Sequence, residues 1–292
     1  MKAKIYGLLM TVSLITVLTV FISAGYIGSE SDPVQQKGAV KLAYNYPPGD
    51  YVRYIKNSRI VQIMDVQGQY MQVNVNTGFG CSIKRTGLTD DALKLEVRID
   101  TIGQTIDSPQ GFGGGSVNSV RGSVINITIS PQGKGTDISE AEKLVYVVEG
   151  SGETNASQTI IDFFPDLPLN PIKPGETWNS ADTTTTGTAT MSMRTITQSV
   201  NKFEGIVTVD GYECARITSD ITGTQTMRTE TQGMQVSTSG TFEGKSTLLF
   251  ALKEGYFIEQ DISAKLKGTI DISGQMTFPL SMETTTSARL VK

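Results

Sequence analysis

The 292-residue chain contains no histidine and only two cysteines, Cys81 and Cys214. Histidine is the usual general base near neutral pH and the commonest metal ligand. Its absence excludes Ser-His-Asp and Cys-His nucleophile systems and His-ligated zinc or iron sites. Two thiols cannot build a four-thiolate zinc site or an iron–sulfur cluster, and these two do not form a CxxC pair. They are open to one long-range disulfide or to lying unpaired as small buried side chains. Excess charge is missing as well. With 25 basic against 29 acidic side chains the formal net charge is −4, and the basic residues are scattered, so no cationic surface invites nucleic acid.

Long hydrophobic runs are confined to one place. Lys2 and Lys4 precede an apolar stretch over residues 5–28, and no charge follows until Glu30. A basic start, an apolar run and the small residues Ser23, Ala24 and Gly25 describe a secretory signal cleaved near Ala24 or Gly25. The run is also long enough to serve as an uncleaved membrane anchor. Under either reading residues 1–28 are a targeting segment, 29–40 a linker, and the remainder is extracytoplasmic, whether periplasmic, surface-bound or secreted. No cysteine follows the run, which excludes lipidation there.

What the chain has in abundance is Thr, Val, Ile, Ser, Gly and Gln in alternation. In Tyr256–Ile272, residues Tyr256, Ile258, Ile262, Ala264, Leu266, Ile270 and Ile272 share one face, with charged and polar residues on the other. That is a half-buried antiparallel strand. Leu248, Phe250 and Leu252 before it, and Met276, Phe278, Leu280 and Met282 after it, extend it into a meander. Such long strands predict a strongly twisted sheet that curls. Val61, Ile63, Met71, Val73 and Val75 predict a hairpin, and residues 93–103 and 123–130 further strands. The glycine-rich "SPQGFGGGS" (108–116) lacks a following Lys-Ser/Thr and a helix, so it reads as a hairpin tip. Helix is scarce: "DISEAEKLVY" offers a capping box, Ser139 with Glu142, and "NASQTIIDFF" a second short helix from Asn155 or Ser157.

Pro165, Pro168, Pro171 and Pro174 then recur every third residue, the period of an extended polyproline strap. The strap ends in "KPGETW", an echo of "PPGDYV" (47–52). Both suit a type II turn with Pro second and Gly third, opening a strand. A second echo pairs "TGFGCSI" (77–83) with "DGYECARI" (210–217). Together they suggest an internal duplication. The expected fold is mainly β: two tandem, strongly curved antiparallel sheets with one or two short helices, the first domain over 41–164 and the second over 165–292.

The Pro174-Gly175-Glu176-x-Trp178 turn, the Gly-aromatic-x-Cys segments and the closing meander resemble a group of exported β-rich prokaryotic proteins. Their expected fold is similar to the lipoprotein carriers of the LolA and LolB type, an open half-barrel around an apolar interior. The first turn departs from the pattern, with Val52 at the tryptophan position and Tyr51 before it. The resemblance implies a hydrophobic small molecule, a lipid or a lipoprotein as partner.

On a curved sheet the concave apolar face is where such a ligand would sit, and the residues expected there are Met191, Met193, Phe250, Ile258, Leu266, Met276, Phe278, Leu280 and Met282. No cofactor is implied. The alternating methionines also suit a soft metal, but no His or nearby Cys assists, and core packing is the simpler reading. Asp90 with Asp91, and Glu259 with Asp261, read as solvated surface rather than a catalytic acid pair. Ser82 with Lys84, and Ser263 with Lys265, read likewise. The expected function is a non-enzymatic envelope protein that binds a lipid-like ligand or lipid-bearing partner. The alternative is a structural or adhesive protein with solidly packed sheets.

Overall fold

The computed structural model describes residues 38–66, 68–89, 91–109, 111–148, 152–187, 191–231, 234–273 and 276–292. Residues 1–28, expected to be a targeting segment, most of the expected linker and Asp90 lie outside the described residues. Fourteen strands run β1 (Val52–Val66), β2 (Gln69–Leu88), β3 (Leu93–Ser108), β4 (Gly111–Ser116), β5 (Val124–Ile129), β6 (Gly135–Asp137), β7 (Val145–Val148), β8 (Gly152–Asn155), β9 (Thr177–Gly187), β10 (Met191–Val209), β11 (Tyr212–Thr231), β12 (Met234–Ala251), β13 (Tyr256–Ile272) and β14 (Met276–Val291). Two short helices, α1 (Ser139–Lys143) and α2 (Ser157–Ile161), fall in the two segments expected to be helical. In α2 the Asn155 carboxamide oxygen accepts from the Ser157 backbone N–H at 3.0 Å and from its hydroxyl at 2.6 Å. In α1 the N-cap position is Ile138, which offers no side-chain cap, and the Asp137 carboxylate accepts from the Ser139 N–H at 3.1 Å, so the Ser139–Glu142 capping box is not formed.

One curved, unclosed antiparallel sheet of 12 strands dominates the molecule, in the order β6-β5-β3-β2-β1-β14-β13-β12-β11-β10-β9, with β4 on β3. The mainly β class therefore holds, but the two tandem sheets are one. Arg53–Met64 pairs with Leu280–Val291, so the first strand of the first half and the last strand of the second form the seam between halves. Each would otherwise present a long row of unpaired backbone N–H and C=O groups. In the meander β12–β13–β14, β13 has the expected limits and spans 17 residues, whereas β12 starts well before Leu248 and ends at Ala251, and β14 runs on past Met282 to Val291.

Of the two echoes, the first holds in part. Gly49 and Gly175 both have positive φ, 98° and 88°, but only the second copy is closed as a turn, by the Glu176 N–H donating to the Lys173 carbonyl at 3.1 Å, while the Pro47 carbonyl accepts from the Arg85 N–H at 3.2 Å. The second echo does not hold: "TGFGC" lies within β2, whereas "DGYEC" forms the β10–β11 turn, with Asp210 at φ 55° and Gly211 at φ 86°. Cys81 is buried on the inner face and Cys214 on the outer, and both are free.

The inner face carries two separate apolar clusters. At the near end, where β10–β11 and β12–β13 turn, Tyr54, Cys81, Phe203, Phe250 and Phe257 meet side chains brought in from outside the sheet: Leu42, Tyr44, Tyr46, Phe163, Phe164 and Leu167. Aromatic pairs tie the cover to the sheet, Tyr54 with Phe163 at 5.1 Å and Tyr44 with Phe250 at 5.3 Å, both edge to face. Such pairs add about 0.5–1.5 kcal/mol each beyond their burial. The Tyr54 hydroxyl donates to the Phe257 carbonyl at 2.7 Å and that of Tyr44 to the Pro165 carbonyl at 3.0 Å, so buried phenols are satisfied. At the far end, Ile60, Val73, Leu266, Ile270, Phe278 and Leu280 pack on one another. On β1 it is Ile60, Met64 and Val66 that point inward, while Ile63 is exposed, one residue out of phase with the expected hairpin face.

The proline strap has no regular structure over residues 165–171, and it is fastened by backbone bonds on both flanks. Leu167 N–H donates to the Gln132 carbonyl at 2.9 Å, and Val40 and Ile172 exchange bonds at 2.8 and 2.9 Å.

Candidate functional site

Between the two apolar clusters the inner face turns polar. Register lines up Ser58 with Thr286, Thr286 with Ile262, Ile262 with Ser246, Ser246 with Ser219, and Ser219 with Asn201, a belt across the sheet broken only by Ile262. Ser58 and Thr286 hydroxyls lie 2.6 Å apart. The Ser219 hydroxyl donates to Asn201 Oδ1 at 2.7 Å, and Asn201 Nδ2 donates to the Ser180 hydroxyl at 3.1 Å. Lys56 is also buried here, its pKa lowered by burial and partly restored by the Asp162 carboxylate.

A cavity of about 200 Å³ opens over this belt. Its floor is Ile217, Ile221, Phe242, Leu248 and Ile262, with Asn201, Ser199, Ser219, Ser246 and Gln260 between them; its roof is the Gly133–Gly135 loop with Asp162, Phe164 and Asp166. β6 and β9 are the two free edges of the sheet, and both the loop beside β6 and Ser180–Asp182 of β9 line this cavity. The edges thus face each other across it without pairing.

On the other side of that gap lies a cleft of about 640 Å³ between the strap and β9, lined by Leu167, Leu169, Ile172, Glu176 and Trp178. Cleft and cavity share Lys134, Asp166, Ser180 and Ala181. Burial raises the Asp166 pKa, the Asp182 carboxylate pushes it further, and Lys134 opposes both. Trp178 packs on the near cluster, and its indole N–H is buried with no hydrogen-bond partner among the described residues.

The nine residues expected to line a ligand site are spread over four places. Leu266, Met276, Phe278, Leu280 and Met282 come together in the far cluster and are packed by each other. Phe250 belongs to the near cluster under Tyr44. Met191 and Met193 form a small separate group with Met227. Ile258 is on the wrong face. A bulge pairs Leu249 with Glu259 but Phe250 with Phe257, so Phe257 turns inward and Ile258 outward among Val207, Cys214 and Leu249. None of the nine lines the cavity. The polar side chains that line it carry no sequence signal: Ser219, Ser246 and Gln260 alternate with polar residues, Asn201 follows the exposed Val200, and only register shows which face is inside.

Two surface readings are also corrected. Asp261 is buried and pairs with Arg289 at 2.8 Å, with Glu259 at 3.4 Å from the same guanidinium. Burial raises the Glu259 pKa against the pull of Arg289. Ser82 is buried and donates to Asp100 at 2.6 Å, while Lys84 pairs with Glu96 at 2.9 Å. Each of these groups is thus already engaged in a structural contact.

No family model matches the chain, and no curated protein does. Among solved structures, a candidate lipoprotein of Parabacteroides distasonis aligns over 84% of this chain and 98% of its own at 8% identity and a TM-score of 0.27. A candidate exported protein with a YmcC-like fold from Bacteroides fragilis aligns over 85% and 97% at 6% identity and a TM-score of 0.26. OccK2 of Pseudomonas aeruginosa, in complex with glucuronate, aligns over 85% and 100% at 7% identity and a TM-score of 0.27. At these scores the likeness carries no argument, and the functional reading rests on the chain itself.

Proposed function

We propose that the chain is an extracytoplasmic, non-enzymatic protein that binds an amphipathic, lipid-like molecule in the gap between the free edges β6 and β9 of its sheet. The observation that carries this reading is that the outer cleft and the inner cavity adjoin, sharing Lys134, Asp166, Ser180 and Ala181 in their walls. About 200 Å³ is below the usual range for a whole drug-sized ligand, so the cavity holds one apolar moiety and the cleft the rest. Apolar floor residues suit a hydrocarbon part, and the Ser, Asn and Gln side chains beside them a polar neighbour group. The basic and apolar N-terminus supports export.

Native mass spectrometry of protein purified from its own host, with titration of a fluorescent fatty-acid probe, tests this. Saturable probe binding that Ile221→Trp abolishes without changing the far-ultraviolet circular dichroism is expected. No co-purifying lipid together with non-saturable probe signal removes the reading. The solid packing of the far cluster favours a second one, a structural or adhesive protein. In that case Ile221→Trp leaves binding to envelope extracts unchanged.

A further inference from the structure

We propose that the isolated methionine group at the far end of β10 and β11 is a binding site for a soft monovalent cation, Cu(I) or Ag(I). Met193 and Met227 are direct cross-strand partners, and both are buried. Opposite residues in an antiparallel pair bring their side chains within about 5.5 Å at Cβ, and diagonal neighbours stay within reach of long side chains. Met191, two residues before Met193 on the same face, completes the trio. Three thioether side chains therefore share one patch of the inner face.

Two further observations separate this patch from ordinary core. The same row continues from Met227 to Thr238 on β12, whose hydroxyl is buried and has no hydrogen-bond partner among the described residues. Buried hydroxyls are rarely left so, and this one, directly across from Met227, is available as a further donor at the edge of the group. Gln225 Nε2 donates a hydrogen bond to Met193 Sδ at 3.4 Å, which engages one lone pair of that sulfur and leaves the other for an ion. The trio also stands apart from both inner apolar clusters. As pure packing, leucine would serve as well.

The donor set decides the ion. Thioethers are soft and select Cu(I) and its heavier congener over Ca²⁺, Mg²⁺ or Mn²⁺. All four donors are neutral, and the group contains no carboxylate or thiolate among the described residues. A buried dication would keep its charge uncompensated there, whereas a monovalent one costs far less to bury.

The test uses the whole chain labelled with [methyl-¹³C]methionine and titrated with Ag(I), then with Cu(I) under anaerobic reducing conditions. Saturation at a single ion per chain is expected, with the methyl resonances of Met191, Met193 and Met227 shifting and those of Met64 and Met282 unmoved. Ion binding to thioethers releases no proton, whereas binding to Cys81 or Cys214 would release one, so an unbuffered titration distinguishes the two. The near-isosteric Met193→Leu/Met227→Leu variant should keep its fold and bind at least about tenfold more weakly. If that variant fails to fold, Met191→Leu alone should show the weakening. The proposal is overturned by stoichiometric proton release, by shifts spread evenly over all methionines, or by unchanged affinity in the leucine variant that folds.

Discussion

Single side chains already expose where this fold carries cost. Gln62 on β1 is fully buried beside Val73 and Met282, and neither amide atom has a hydrogen-bond partner among the described residues. An unpaired buried polar group costs about 1–3 kcal/mol, so Gln62→Met is expected to stabilise by that order in urea unfolding; a loss of stability would show that the amide is paired after all. Gly223 is the opposite case. A Cβ there would drive into the Ile196 carbonyl and the Phe242 ring, which lies over the glycine. Gly223→Ala should therefore cost about 1–3 kcal/mol, whereas Gly78→Ala, 3.6 Å from the Asn57 side chain, should be nearly neutral in the same assay. Asp166 adds a pH signature. Its folded pKa is raised above the ordinary value of 3.8, so its ionisation destabilises the fold. The penalty is absent below the unfolded pKa, grows as pH rises through the folded pKa, and is constant above it. Asp166→Asn should accordingly raise the melting temperature at pH 7 and leave it unchanged near pH 3, as scanning calorimetry would show.

At the scale of elements, the long strands were legible and their faces were not. Alternation over Tyr256–Ile272 located β13 to the residue, because period two is a direct consequence of strand geometry. Yet one bulge between Leu249 and Phe250 was enough to send Ile258 outward. Others, between Phe203 and Gly205 and between Gly80 and Cys81, shift parity in the same way. A bulge adds a residue without altering composition, so nothing local announces it. The polar belt was hidden for a related reason: Ser219 is as polar as its outward neighbours, and between Ser199 and Asn201 it is Val200 that points outward, 52% exposed, so the local pattern marks the wrong face. The short helix α2 was legible from Asn155, but its purpose was not. It delivers Phe163 onto Tyr54 and Phe257, at 5.1 and 5.2 Å. Phe163→Ala should cost about 3–5 kcal/mol and loosen the cover before the sheet, seen as early exchange of amides in the Tyr44 to Tyr46 segment by hydrogen exchange.

For the whole molecule, the decisive feature is the pairing of β1 with β14, which no local pattern could reveal. Ser58 and Thr286, in hydrogen-bond contact, are 228 residues apart in sequence. Pairings of such separation make folding slow, since loop closure must precede the contacts that reward it. They also set the folding unit. Fragments 41–164 and 165–292 each lose one side of a central strand, so neither should melt cooperatively alone, while an equimolar mixture should. Two independent cooperative transitions would instead restore the picture of tandem domains.

The same seam has a meaning for how the protein is made. A chain delivered from its first residue onward offers β1 only β2 as a neighbour until the 16 residues of β14 arrive last. Until then its central edge is unsatisfied and its near core lacks Ala288. Under the export proposed above, a chain threaded through a translocation channel would stay unfolded until β14 has followed β1, and the β1–β14 pairing would act as the latch. A chain stopped at residue 275 should remain protease-sensitive however long it is given to fold.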